Sequence, residues 1–354
     1  MALLTFMVLP VVVPSSELSL PTEVCLFALF AISYDLIFGF TGLISFGQAL
    51  FIGVGAYTLT GAMTTHHVAL LPALLIALLT GIIVSTITGI LALRTRGVYF
   101  AMVTLAFAQA AFTLAESNVG NLTGGENGLS LSGAPSWLVG PGNGAHFYFV
   151  ALGALVAGFL LLRLFVQSPA GRVWQAVREN EQRALMLGYR PYAFKLLAYV
   201  ISGSIATVAG ALYALFVGAV STNLFSADLT IQLLLMVIIG GAGSLWGAML
   251  GAAIVRYLNH YLAVLSTSSF VAHLPHWLQQ TLGQPLLLFG CVYLLLVYFF
   301  PQGIAGLTQR LRFIRSAMPR PGLGEIEPAA DPALPELGPV AGDSEVHAEP
   351  AGKG

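Results

Sequence analysis

Few side chains in this sequence could do chemistry, and most of them occur in three places. Asp35 stands inside an apolar run, residues 24–40. A carboxylate at membrane depth could carry a proton or a sodium ion; near the cytoplasmic end of its segment it could instead reach water or a backbone donor. Two glycine-rich strings come next. "GFTGLISFGQALFIGVGAYT" (39–58) holds Thr41, Ser45 and Gln48, and "VIIGGAGSLWGAMLGAAI" (237–254) holds Gly240, Gly241 and Ser244. Gly39, Gly42, Gly47, Gly53 and Gly55 in the first string, like Gly243, Gly247 and Gly251 in the second, permit close helix approach or helices broken where they line a cavity. The third place is "SPAGRVWQAVRENEQRALMLGYR" (168–190), with Arg172, Arg178, Arg183 and Arg190, and Lys195 just beyond. It is either a solvated loop whose charges set topology or a docking element for another protein.

Other chemistry is poorly supplied. His66 and His67, and the pair His273 and His276, have no third ligand nearby, whereas a zinc site needs three or four; no metal site is expected. No paired carboxylates or nucleophile constellation stand at membrane depth, which argues against a membrane enzyme. Cys25 and Cys291 both lie in apolar runs and read as buried thiols outside any disulfide framework.

The elements that must position these residues are membrane helices. Of 354 residues, 57% are hydrophobic and only 8% charged, against about 25% charged in a soluble domain. With mean hydropathy at +0.86, a soluble fold could not cover its surface. The expected fold is an all-α, polytopic helical membrane bundle. Apolar runs fall at about 2–14, 24–40, 43–62, 69–93, 98–116, 147–166, 195–217, 230–264 and 284–300. Residues 1–318 form the transmembrane domain, the N-terminus being read as a retained first segment, with an external loop at 117–146 and a cytoplasmic loop at 167–194. Residues 319–354, rich in Pro, Gly, Ala and acid, read as a disordered cytoplasmic tail.

Orientation follows from the basic residues, which favour the cytoplasmic side. Arg94 and Arg96, the 172–195 group, and Arg310, Arg312, Arg315 and Arg320 go inside. Residues 117–146 and 218–229, free of Lys and Arg, go outside. An odd number of crossings must then join 229 to 310. The run 230–264 therefore turns back at "GGAGS", Gly240 to Ser244, giving about ten membrane segments, some short or broken. That turn leaves Arg256 in a membrane segment, an expensive placement unless it faces protein, water or the interface.

The 168–190 stretch carries its own helix signals. Ser168-Pro169 opens a helix through about Arg178, with Ser as a cap and Pro at the first position. Asn180 can cap a second, with Glu181 at its positive end, and Gly188 suits a left-handed stop. Val173 and Val177 mark an apolar face on the first piece, Ala184 and Leu187 on the second. Two capped helices exceed what a passive linker needs.

At this point the chain resembles a known family. "AVRENEQRALMLGYRPYAFKLLAYVISGSIATVAGALYAL" (176–215) is similar to the cytoplasmic-loop region of ABC-importer permeases, specifically branched-chain amino acid permeases of the LivM type. The two glycine strings resemble that family's early and late signatures, in the same order, and the resemblance covers roughly residues 20–310. It implies that Arg178, Glu179, Asn180, Glu181, Arg183, Ala184, Leu187 and Gly188 form the coupling helix that enters a cleft on an ATP-hydrolysing subunit. It also implies a second homologous permease, two ABC ATPase subunits and an extracytoplasmic substrate-binding protein, in a prokaryotic cytoplasmic membrane. No cofactor is expected on this chain. It has no G-x-x-x-x-G-K-[ST] loop, so partner subunits would use the ATP.

Asp35, Thr41, Ser45, Gln48, Gly240, Gly241 and Ser244 are the candidate translocation-path residues. Ser45, Gln48 and Ser244 could meet an amino acid's ammonium and carboxylate. Asp35 stands where the family usually has Asn, and Gln48 where it has His; both departures bear on which substrate is carried. Gln109, Ser202, Ser204 and Thr207 read as hydrogen bonds between helices. The expected role is uptake of branched-chain or other hydrophobic amino acids by ATP-driven alternating access, without bond chemistry and without nucleic acid. The alternatives are urea or short amides as cargo, or an ion-coupled secondary transporter using Asp35.

Overall fold

The computed structural model describes residues 18–121, 123–135 and 144–266, with Gly290, Tyr293 and Gly303 beyond. The expected N-terminal segment, most of the run 284–300, His273, His276 and the tail lie outside the described residues. Within them the chain is helical: α1 (Ser19–Asp35), continued by a π-helical turn (Leu36–Phe40), α2 (Gln48–Thr64), α3 (Leu70–Ala92), α4 (Val98–Glu116), α5 (Gly144–Gln167), α6 (Pro169–Glu179), α7 (Glu181–Met186), α8 (Pro191–Val217), α9 (Ala227–Gly240) and α10 (Leu245–Ser266).

Five of these are long and apolar enough to cross a membrane: α1 with its π turn, α3, α4, α5 and α8. A sixth crossing results if α9 and α10 count together. The expectation of about ten segments therefore exceeds what the described residues show. Two of the ten, at 2–14 and over most of 284–300, lie outside the described residues, and two others are short. A crossing needs about 20 residues, whereas α2 has 17 and α9 has 14. The run 230–264 does turn at the expected place: α9 and α10 are bent by 118° across residues 241–244.

α1 is buried along nearly its whole length, whereas α3, α4 and α5 leave most of their apolar surface uncovered. Water would not tolerate faces such as Leu71, Leu75, Leu79 and Ile83 on α3; hydrocarbon does. α3 turns inward a line of small residues, Ala73, Ala77, Gly81 and Ser85, then Thr88, Gly89 and Ala92. Small residues let backbones approach. A Cβ on Gly55 of α2 would stand 1.9 Å from Thr207 O of α8, and one on Gly210 of α8 would stand 2.1 Å from Ile52 O of α2.

Two stretches expected on the same external side are in fact joined. Strand β1 (Leu129–Ser130) pairs antiparallel with β2 (Ala219–Val220), Leu129 opposite Val220. Only loops on one face of the bundle can pair so, and the two stretches therefore share a side. The 117–146 loop ends slightly early, because α5 begins at Gly144. Its first buried side chain, Phe147, needs a turn of helix ahead of it.

Candidate functional site

The first glycine string is a broken helix. After the π turn, residues 41–47 are non-helical and α2 resumes at Gln48. The backbone groups freed by the break must find partners. Phe46 N–H donates to Thr104 Oγ1 of α4 at 3.1 Å, Gly47 N–H to Ser45 Oγ at 3.2 Å and Ala49 N–H to Thr230 Oγ1 of α9 at 3.0 Å. Tyr34 OH donates to Ser45 O at 2.9 Å, and Thr41 Oγ1 donates to Ile37 O. Hydroxyls from two other helices, with Tyr34 of α1 itself, thus hold the break open.

Gln48, fully buried, is the polar hub beside it. Its Nε2 donates to Ser33 Oγ of α1 and Ser202 Oγ of α8, both at 3.1 Å, and Ser202 Oγ donates in turn to Ser33 O. Gln48 Oε1 is buried with no hydrogen-bond partner. A buried acceptor left open is the kind of group that a donor from a ligand would satisfy.

The second string is the break between α9 and α10. Gly241 (φ 105°) and Gly243 (φ 85°) take the positive φ that the sharp turn demands. Ser244 Oγ accepts from Gly247 N–H at 3.2 Å, capping α10. Asp35 belongs to this break: fully buried, its Oδ1 accepts from Gly243 N–H at 2.8 Å. Of the readings open for this carboxylate, the geometry gives the backbone donor, on a segment 208 positions away. The approach is so close that a Cβ on Gly39 would stand 2.0 Å from Asp35 Oδ1 and 2.2 Å from Gly243 N.

Arg178 closes this junction from the loop side. Its Nη1 donates to Gly39 O, and its charge acts on Asp35. Gly42 (φ 73°) lies against its stem, where a Cβ would meet Arg178 Cγ at 3.0 Å. Asp35 Oδ2 has no hydrogen-bond partner, and the guanidinium stands on the Gly39 and Gly243 backbone beside this carboxyl group. Sequence patterns place Arg178 in a docking helix; the structure turns its head inward, onto the point where both glycine strings meet.

The rest of the 168–190 stretch is a braced two-helix element. α6 starts at Pro169 as expected, but Ser168 does not cap it: its hydroxyl donates backwards to Phe165 O at 2.6 Å. Asn180 Oδ1 accepts from Arg183 N–H at 3.0 Å, capping α7. Gly188 (φ 85°) ends α7 with Tyr189 N–H donating to Ala184 O at 3.2 Å. Val173, Val177 and Ala184 pack together against Phe194. Leu187 does not join them and is 69% exposed. It follows the end of a six-residue helix, where the left-handed turn begins and points it away. Glu181 pairs with Lys195 Nζ at 2.8 Å, an ion pair within the chain. Glu179, Arg183 and the apolar Leu185 and Met186 are exposed.

Three features went unread in the sequence. Trp174 is fully buried and its Nε1 donates to Phe194 O at 2.8 Å, tying α6 to the start of α8. Thr104 and Thr230 serve the first break. Glu23 of α1 pairs with Arg256 of α10, whose guanidinium also lies 4.2 Å from the centre of the Phe27 ring. An acid in one apolar segment and a base in another was the available signal, and the pair removes the difficulty of Arg256 in the membrane. Of the other polar residues, Ser202 bridges helices, Ser204 and Thr207 bond within α8, and Gln109 is exposed on α4.

An apolar bundle with two helices broken at a shared, buried junction, and a braced polar loop reaching into it, defines a multi-pass membrane protein of the transport class. The chain belongs to the family described as branched-chain amino acid transport system, permease component, whose model matches residues 18–300. It is 28% identical over 337 residues to the high-affinity branched-chain amino acid transport system permease protein LivM of Salmonella typhimurium, covering 87% of this chain and 75% of the relative. The protein of that name from Escherichia coli is 28% identical over 327 residues, 85% of this chain and 72% of the relative. A probable LivM of Methanocaldococcus jannaschii is 26% identical, over 79% and 90%. No solved structure matches the chain.

Proposed function

We propose that this chain is the membrane subunit of a binding-protein-dependent ABC importer that moves branched-chain or other hydrophobic amino acids inward across a prokaryotic cytoplasmic membrane. A binding protein delivers the amino acid to the outer loops, where β1 and β2 pair. Two ATPase subunits act on α7, beneath this chain and a second, homologous permease. This subunit holds no cofactor; ATP is bound and hydrolysed by its partners. The observation that carries the reading is Arg178: an exposed cytoplasmic helix pair places one guanidinium at the junction of both broken helices. Movement of the loop is thereby movement of the breaks.

The roles divide along the geometry. Arg183, Leu185, Met186 and Leu187 form the outward face that a partner cleft would take. Trp174 and the Glu181–Lys195 pair keep the element rigid, and Arg178 transmits. Gln48, fixed through its Nε2 by Ser33 and Ser202, supplies in its Oε1 the acceptor for a substrate ammonium. Asp35, held by Gly243 N–H and faced by Arg178, organises the second break and does not carry an ion.

Reversing the charge at Arg183 tests the outward face. It is exposed and has no side-chain partner among the described residues. Arg183→Glu is expected to leave membrane insertion normal and to lower ATPase recovery with the permease, and ATP-driven uptake, by about tenfold, the scale of a lost charge-assisted contact. Full recovery and full uptake would remove α7 from the coupling interface.

A further inference from the structure

A groove of ≈ 260 Å³ runs between α1, α5 and α10, on the side of α1 that faces neither break. Val24, Cys25 and Ala28 form its floor, Leu152 to Leu160 one wall, and Met249, Leu250 and Ala253 the other. It opens sideways, through Leu160 and Leu250, each about half exposed. One charged group lines it: Arg163, near the end of α5 that leads into the cytoplasmic loop. Arg163 is exposed and has no hydrogen-bond or ion-pair partner among the described residues. Trp246 also lines the groove, its ring centre 4.8 Å from that of Phe159 with the two planes tilted by 59°.

We propose that this groove holds one acyl chain of an anionic phospholipid of the inner leaflet, with the lipid phosphate on Arg163. From Leu152 to Arg163 the helix rises eleven steps of about 1.5 Å, or about 16 Å. One leaflet of the hydrocarbon core is about 15 Å deep. A chain anchored at Arg163 therefore reaches about the midplane. The unpaired cation selects a phosphate of negative headgroup charge, and Trp246 lies at the depth where an indole bridges apolar and polar layers. A protein partner on the same surface would leave Arg163 facing hydrocarbon-like side chains unless it brought an acid of its own.

The test uses the intact complex, purified in mild detergent and equilibrated with vesicles of equal parts phosphatidylglycerol and phosphatidylcholine. Retained lipid is then measured by mass spectrometry. Wild type is expected to retain phosphatidylglycerol over phosphatidylcholine by about fivefold, the effect of one basic residue at the membrane surface. Arg163→Lys should keep that ratio, Arg163→Gln should lose it, and Ala253→Phe, which fills the groove, should retain neither lipid. Should Ala253→Phe fail to assemble, the Lys and Gln variants decide. A photoreactive side chain at Leu160 is expected to form adducts with lipid. An unchanged ratio in Arg163→Gln, or adducts with the second permease in place of lipid, would overturn the proposal.

Discussion

Replacing Arg178 with alanine is expected to lower ATP-driven uptake ten- to hundredfold while the complex stays assembled and its ATPases keep turning over. The change removes a charged donor from Gly39 O and empties the space against the Gly42 and Gly243 backbone. A hydrogen bond to a charged group is worth about 1.5–3 kcal/mol, and each 1.4 kcal/mol is about a factor of ten. Arg178→Lys should recover only part of the loss, because a point charge cannot reproduce the planar fork. The contrast with Arg183→Glu is the informative one. The outer-face variant should lose its ATPases; the inner-face variant should keep them and waste their ATP. Uptake at the wild-type rate in Arg178→Ala would show that the loop acts elsewhere.

The second large effect is expected at Gly39. A methyl group there would stand 2.0 Å from Asp35 Oδ1 and 2.2 Å from Gly243 N. One of these neighbours is backbone and the other is fixed by it, so neither can yield. Overpacking usually costs about 1–3 kcal/mol, and this site should lie at or beyond the upper end. Gly39→Ala should therefore reduce folded protein in detergent and abolish uptake by what remains. Gly61→Ala in α2 is the control, since its Cβ meets nothing within 4 Å. It should be neutral in both thermal stability and uptake. Equal behaviour of the two variants would mean that the junction is looser than drawn.

How much of this was legible in the sequence depends on the distance between partners. Asn180 and Gly188 announced their caps because capping is local, settled within a few residues. The two glycine strings announced breaks, since glycine at positive φ serves a turn wherever it occurs. The partner of Arg178 was not legible, being 139 positions away, and Glu23, 233 positions from Arg256, was signalled only by opposite charges in two apolar segments. Charge and spacing say that an arginine is in a loop, not which way it points. Leu187 was misplaced because helical periodicity was extended past a helix of six residues. The number of crossings is left open among the described residues, because α2 and α9 are apolar but short and hydropathy alone does not measure length in the folded state.

The measurement that reaches the central claim most directly is purification of the tagged chain from its native membrane in gentle detergent, with mass-spectrometric identification of its companions. A second permease and P-loop ATPase subunits in fixed proportion to this chain are the expected result. Recovery of the chain alone or only with copies of itself, with no ATP-binding subunit, would contradict the account and leave α7 with nothing to dock.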